Sequence, residues 1–214
     1  INPDFGQVEA DPSQVNLTAY ETYFEEKRPF FIEGQSIMNF RLMQLGDFMQ
    51  DKLFYSRRIG QSPSYSPQTE ENEYAKVPDN TDMLGALKMT GKTRDGWSVG
   101  IMESMTSREK AKISDGSSTR FETVEPLSNY FLGRLQKDLN GGKTMMGGIL
   151  TATNRKIEAD HLNFMHDQAY TGGINFKHRW SDRTYQFAFR GIASHVRGSE
   201  RAITRTQKSS ARYY

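Results

Sequence analysis

Apolar and polar side chains alternate one by one through much of the second half of the chain. A period of two marks β-strands whose two faces meet different surroundings. The pattern is clearest between residues 170 and 180. There Tyr170, Gly172, Ile174, Phe176, His178 and Trp180 share one face, and Thr171, Gly173, Asn175, Lys177 and Arg179 share the other. Beyond Ser181-Asp182 the alternation resumes, with Tyr185, Phe187, Phe189, Gly191 and Ala193 set against Thr184, Gln186, Ala188, Arg190 and Ser194. Residues 83–91, 97–102, 130–136 and 145–153 repeat the pattern.

The connections have a rhythm of their own. They are tight at residues 92–96, at Asn140-Gly141 and at Ser181-Asp182, and long and polar at 107–126, 156–166 and 198–206. Short turns on one side and longer loops on the other are the layout of a membrane β-barrel. The strands run to roughly ten to fourteen residues, beyond the ~5–6 of soluble sheets and enough for the ~9–11 of a tilted bilayer crossing. On this reading Tyr170 at one end, and Trp180 and Tyr185 at the other, are interfacial aromatics. Lys88, Arg134, Lys177 and Arg190, all in mid-strand, line a polar lumen. A soluble antiparallel barrel or sandwich accommodates the same alternation, with the apolar face as its core.

Residues 1–50 read as a separate segment, plug-like or lumen-lining, and residues 51–214 as the first strands of the barrel. A strand is expected at 5–11. A helix is expected at 16–26, with a Thr18–Glu21 capping box, one apolar face through Leu17, Tyr20, Tyr23 and Phe24, and a stop at Pro29. Residues 36–50 fit a short helix or an irregular strand, and 53–59 a strand. Three prolines among Ser, Gln, Glu and Asn make 60–80 a polar loop.

Composition narrows the choice. The chain has 214 residues and a net charge of +2. Its basic residues are spread out, so no nucleic-acid partner is expected. Mean hydropathy is −0.74, and no apolar run of ~18 residues offers a membrane helix. There is no cysteine, which removes disulfides and thiolate metal sites.

Several blocks carry a resemblance. They are residues 2–12 (NPDFGQVEADP), 15–21 (VNLTAYE), 24–34 (FEEKRPFFIEG) and 53–60 (LFYSRRIG), then 84–93 (LGALKMTGKT), 96–100 (GWSVG) and 130–138 (YFLGRLQKD). Together the chain resembles the outer-membrane β-barrel family called domain of unknown function 5916. The resemblance implies an all-β, antiparallel up-and-down transmembrane barrel in a bacterial outer membrane, with outer-membrane lipid around it. It also implies that this chain is part of a larger barrel. Members usually carry an upstream module similar to family-nine carbohydrate-binding domains, so the resemblance points to an oligosaccharide as a ligand. Solute passage or handling is the function it favours. A membrane-anchored carbohydrate-binding or glycan-hydrolysis-associated protein is an alternative, and an assembly component that binds other envelope proteins is another.

Candidate chemistry is sparse. Glu25, Glu26, Lys27, Arg28 and Glu33 crowd one short stretch. Charges folded into a polar lumen must be paired. Ion pairs from Glu25, Glu26 or Glu33 to Arg57 or Arg58 are therefore expected, anchoring a plug or forming a filter for solutes. Asp4, Glu9 and Asp11 lack a complete calcium loop. His161 and His166, beside Asp160 and Asp167, read as a solvated loop, and His178 and His195 as interfacial. Gly141-Gly142-Lys143-Thr144 lacks the spacing and flanks of a phosphate-binding loop. No catalytic motif, metal site or cofactor is expected.

Overall fold

The computed structural model describes residues 24–44 and 50–209. Two one-turn helices, α1 (Pro29–Ile32) and α2 (Gln35–Met38), come first. A short ladder of β1 (Arg41–Gln44) with β2 (Gln50–Lys52) follows. Then come β3 (Tyr74–Lys76), β4 (Met83–Lys92), β5 (Trp97–Thr106), β6 (Glu109–Ser114) and β7 (Thr119–Glu125). The chain continues through β8 (Leu127–Leu139), β9 (Thr144–Lys156), β10 (His166–Trp180), β11 (Tyr185–Gly198) and α3 (Glu200–Gln207).

The long strands make one antiparallel sheet in the order β4-β5-β8-β9-β10-β11. Among the described residues it is not closed, and β4 and β11 form its edges. The fold is mainly antiparallel β-structure. Its strands of 10 to 15 residues follow each other in space as in sequence, except where the β6–β7 hairpin stands between β5 and β8. Register fixes the faces. Ile101, Gly133, Leu150 and Gly172 form one cross-strand row, and Gly100, Arg134, Ile149 and Gly173 form the next row on the opposite face.

All tight turns lie at one end of the sheet. Gly96 shows what they require: its φ is +85°, and a Cβ there would sit 2.5 Å from the Asp138 carbonyl oxygen. The long connections lie at the other end, and here the sequence reading needs correction. Residues 107–126 are a β-hairpin, not a loop. β6 pairs with β7 and with β3 in a three-stranded sheet, because Ala111 and Ile113 alternate with lysines and become fully buried. Residues 200–207 form α3, capped where the Ala202 amide donates to Ser199 Oγ at 3.1 Å.

The N-terminal expectations also change. The part of the expected helix from residue 16 to 23 lies outside the described residues, as does the strand at 5–11, and residues 24–28 are not helical. Pro29 opens a helix instead of closing one. Proline suits the first helical position, where no amide partner is needed. Residues 53–59 contain a 3-10 turn, Ser56–Arg58, in place of a strand.

Candidate functional site

Residues 24–40 and 53–59 pack against one face of the six-stranded sheet. Phe31, Met38, Phe40 and Ile59 are buried there with Met102, Tyr130, Leu132 and Ile149 of β5, β8 and β9. Glycines in the sheet make the close approach possible. A Cβ at Gly100 would meet Met38 Cγ at 2.9 Å, and one at Gly173 would meet Phe40 Cζ at 2.9 Å and Leu53 Cδ1 at 3.0 Å. Gly173→Val is expected to loosen the segment by about 1–3 kcal/mol through overpacking. Faster proteolytic cleavage within residues 24–59, with the sheet intact by circular dichroism, would show it.

The cations predicted for this face divide into two kinds. Arg134 is 5% exposed. Its guanidinium donates to the carbonyls of Leu135 (3.1 Å) and Gly148 (3.0 Å) and to the side-chain oxygens of Gln136 (3.0 Å) and Asn175 (2.9 Å). Phe40 covers it, with Cζ 5.2 Å from the ring centre. Gly147 leaves the room, since a Cβ there would lie 2.7 Å from Arg134 Nη1. Lys88 donates to the carbonyls of Phe30 and Glu33, so it ties β4 to the end of α1. Both side chains hold the segment or the sheet itself. Lys177 and Arg190 lie on the same face in β10 and β11, where Arg190 sits opposite Asn175 and residues 24–59 leave it exposed.

Within the crowded acid–base stretch, one pair is well defined. Glu26 and Arg28, 6% and 7% exposed, form a bidentate pair. Nε donates to Oε1 and Nη2 to Oε2, both at 2.8 Å. Arg28 also donates to the Ile59 carbonyl (2.6 Å) and the Ser56 carbonyl (2.8 Å), and Ser56 Oγ donates to Glu26 Oε2 at 2.5 Å. Arg28 lies 4.3 Å from the Phe31 ring centre. Burial alone would raise the Glu26 pKa, but hydrogen bonds from Arg28 and Ser56 hold it below the ordinary carboxylate value. Arg57 and Arg58 belong to the turn whose carbonyl Arg28 grips, while Glu25 and Glu33 are exposed. The spacing of two residues hid this pair, because the extended chain brings Glu26 and Arg28 to the same side.

The opposite face of the sheet is open and largely apolar, with Glu103, beside Leu87 and Phe131, accepting a hydrogen bond from Asn129. Leu87 is 74% exposed, Ile174 60%, Met89 58%, Phe187 55% and Leu150 51%. At its tight-turn end, His178 stacks on Trp180 (5.8 Å) and Trp180 on Tyr185 (5.9 Å). Toward the other end Tyr170 donates to Asn154 Oδ1 at 2.7 Å. Tyr170 and Trp180 are separated by ten positions, ~33 Å along a strand.

A second cluster at the long-connection end escaped the sequence reading. Arg120 bridges Glu73 (2.8 Å) and Glu122 (3.0 Å), and Tyr65 donates to Glu122 at 3.0 Å. Burial and the Glu122 contact raise the Tyr65 phenol above its usual pKa. His161 is not a loosely solvated side chain: its Nε2 donates to the Thr123 carbonyl at 2.7 Å. His166 pairs with Thr206 Oγ1 at 2.8 Å. At the tip of the β6–β7 hairpin, amides of Ser118 and Ser117 hold Asp115 far below the usual carboxylate range. Among the described residues no three His, Asp or Glu gather as a metal site; Asp4, Glu9 and Asp11 lie outside them.

No curated protein and no solved structure matches the chain significantly. A family model described as domain of unknown function (DUF5916) matches residues 1–212. The chain therefore belongs to the domain of unknown function 5916 family.

Proposed function

We propose that the chain is part of an outer-membrane β-barrel wall whose polar inner face is filled by its own N-terminal segment. One observation carries the reading: the sheet is inverted relative to a soluble one. Its face rich in large apolar side chains is bare, and its mixed polar face is covered across β5, β8 and β9. Soluble monomers rarely expose a contiguous apolar patch of more than a few hundred Å², whereas lipid covers such a face in a barrel. With a tilt of about 45°, the ~33 Å between Tyr170 and Trp180 spans a band of ~23 Å, close to the ~25 Å of known barrels.

The role is passage or handling of a solute at the outer membrane. Arg134 and Lys88 are engaged by the sheet and the segment, so passage requires residues 24–59 to shift. Reconstitution of the full-length protein in planar bilayers tests this. The expected result is low conductance that rises when the Glu26–Arg28 pair is broken. A stable monomer extracted without detergent would overturn the membrane reading. A wide conductance indifferent to the pair would overturn the filling role.

A further inference from the structure

At the long-connection end, Tyr65, His161 and Phe164 meet one side of α3 around an open pocket of about 670 Å³. That volume lies within the ~300–1,000 Å³ of small-ligand sites. It is built from the 60–80 segment, the turn before β10 and α3, outside the core packed on the sheet. It stands wherever the sheet itself resides.

Two features define what the pocket would hold. Its aromatic wall is fixed in advance. Tyr65 is tied through its hydroxyl to Glu122 (3.0 Å), and His161 through Nε2 to the Thr123 carbonyl (2.7 Å). Their rings lie 4.6 Å apart, with Phe164 6.5 Å from Tyr65. Such ring faces suit the flat C–H face of a pyranose and offer nothing to a bare inorganic anion. The α3 side is cationic and adjoins the aromatic one: Arg201 and Arg205 outnumber Glu200, and Thr204 adds a hydroxyl. Arg205 Cζ lies 4.8 Å from the Phe164 ring centre, which holds this guanidinium on one face of the ring and leaves Arg201 for a ligand. Arginine forks match carboxylates in a bidentate manner. Lining charge of two arginines against one carboxylate disfavours a neutral sugar relative to an acidic one.

We propose that this pocket binds an acidic oligosaccharide, with a sugar ring on the Tyr65/Phe164 wall and its carboxylate on Arg201. Glu200 and Thr204 then meet sugar hydroxyls. The proposal concerns a ligand site and is separate from the membrane reading, because its test is made on detergent-solubilised full-length protein and needs no bilayer.

The test is isothermal titration with trigalacturonate, trimannuronate and the fully methyl-esterified trigalacturonate. The expected result is saturable binding of at least one acid, at least ten-fold weaker binding of the ester, and at least a ten-fold loss in Arg201→Gln. Phe164→Leu keeps an apolar side chain but removes the ring, and it should weaken binding several-fold. Circular dichroism confirms that both variants fold. The proposal is overturned if neither acid binds at millimolar concentration, if ester and acid bind alike, or if Arg201→Gln binds as the parent does.

Discussion

Arg28→Met is expected to destabilise the packing of residues 24–59 by about 3–5 kcal/mol, the usual consequence of stranding a buried charge. Glu26 is almost fully enclosed and would lose the bidentate guanidinium while keeping the Ser56 hydroxyl. The double variant Glu26→Leu with Arg28→Met should recover much of the loss, since apolar replacement of a buried pair is often neutral. Recovery is incomplete to the extent that Arg28 also bridges the Ile59 and Ser56 carbonyls. Amide exchange through residues 24–59 measures both variants, and unchanged protection in Arg28→Met would refute the role given to the pair. The same linkage sets a pH window. Glu26 titrates below its ordinary 4.5 when folded, so its contribution is complete above that value and is lost as pH falls through the folded pKa. Attachment of the segment should be steady from pH 8 to 5 and weaken in more acid solution.

The second large effect separates a membrane sheet from a soluble one. Ile174 is 60% exposed on the open face. In water, Ile174→Arg at such a site changes stability by only about 0.5 kcal/mol. Against lipid near mid-bilayer, the same change costs about 2–4 kcal/mol. The expected outcome is a fall in the fraction that folds into lipid vesicles, read from heat-modifiable gel mobility. Thr151→Arg is unsuitable as the control because that side chain is buried on the packed face. Lys177→Arg, which keeps its charge on the polar face, should fold as the parent does. Equal folding of Ile174→Arg and the parent would count against lipid on this face.

Much of the sheet is legible because a period of two leaves little choice of register. Once Tyr170 and Trp180 share a face, every residue between them is assigned. The hairpin at residues 107–126 reads as a loop for a physical reason. In β6 the apolar residues are only Ala111 and Ile113, and the turn residues after them dominate the local composition. Short helices were equally obscure: α1 and α2 are one turn each and exist by tertiary contact, not by propensity. The Glu26–Arg28 pair needed the backbone path, since a separation of two is no pairing signal in a helix. The Tyr65, His161 and Phe164 cluster draws on segments about a hundred residues apart, and nothing in local spacing could gather them.

Chain order has a consequence for how the molecule is made. Among the described residues, the segment packed on the polar face precedes the long strands, and each long strand after β4, except β8, pairs with the long strand emitted just before it without an intervening hairpin. Assembly can therefore proceed by accretion: the sheet is laid down hairpin by hairpin against a segment that is already present. Folding of this kind accumulates mostly local pairings, which form faster than distant ones. Moving residues 24–59 to the far end of the polypeptide would keep every contact in the folded state yet turn an early step into a late insertion.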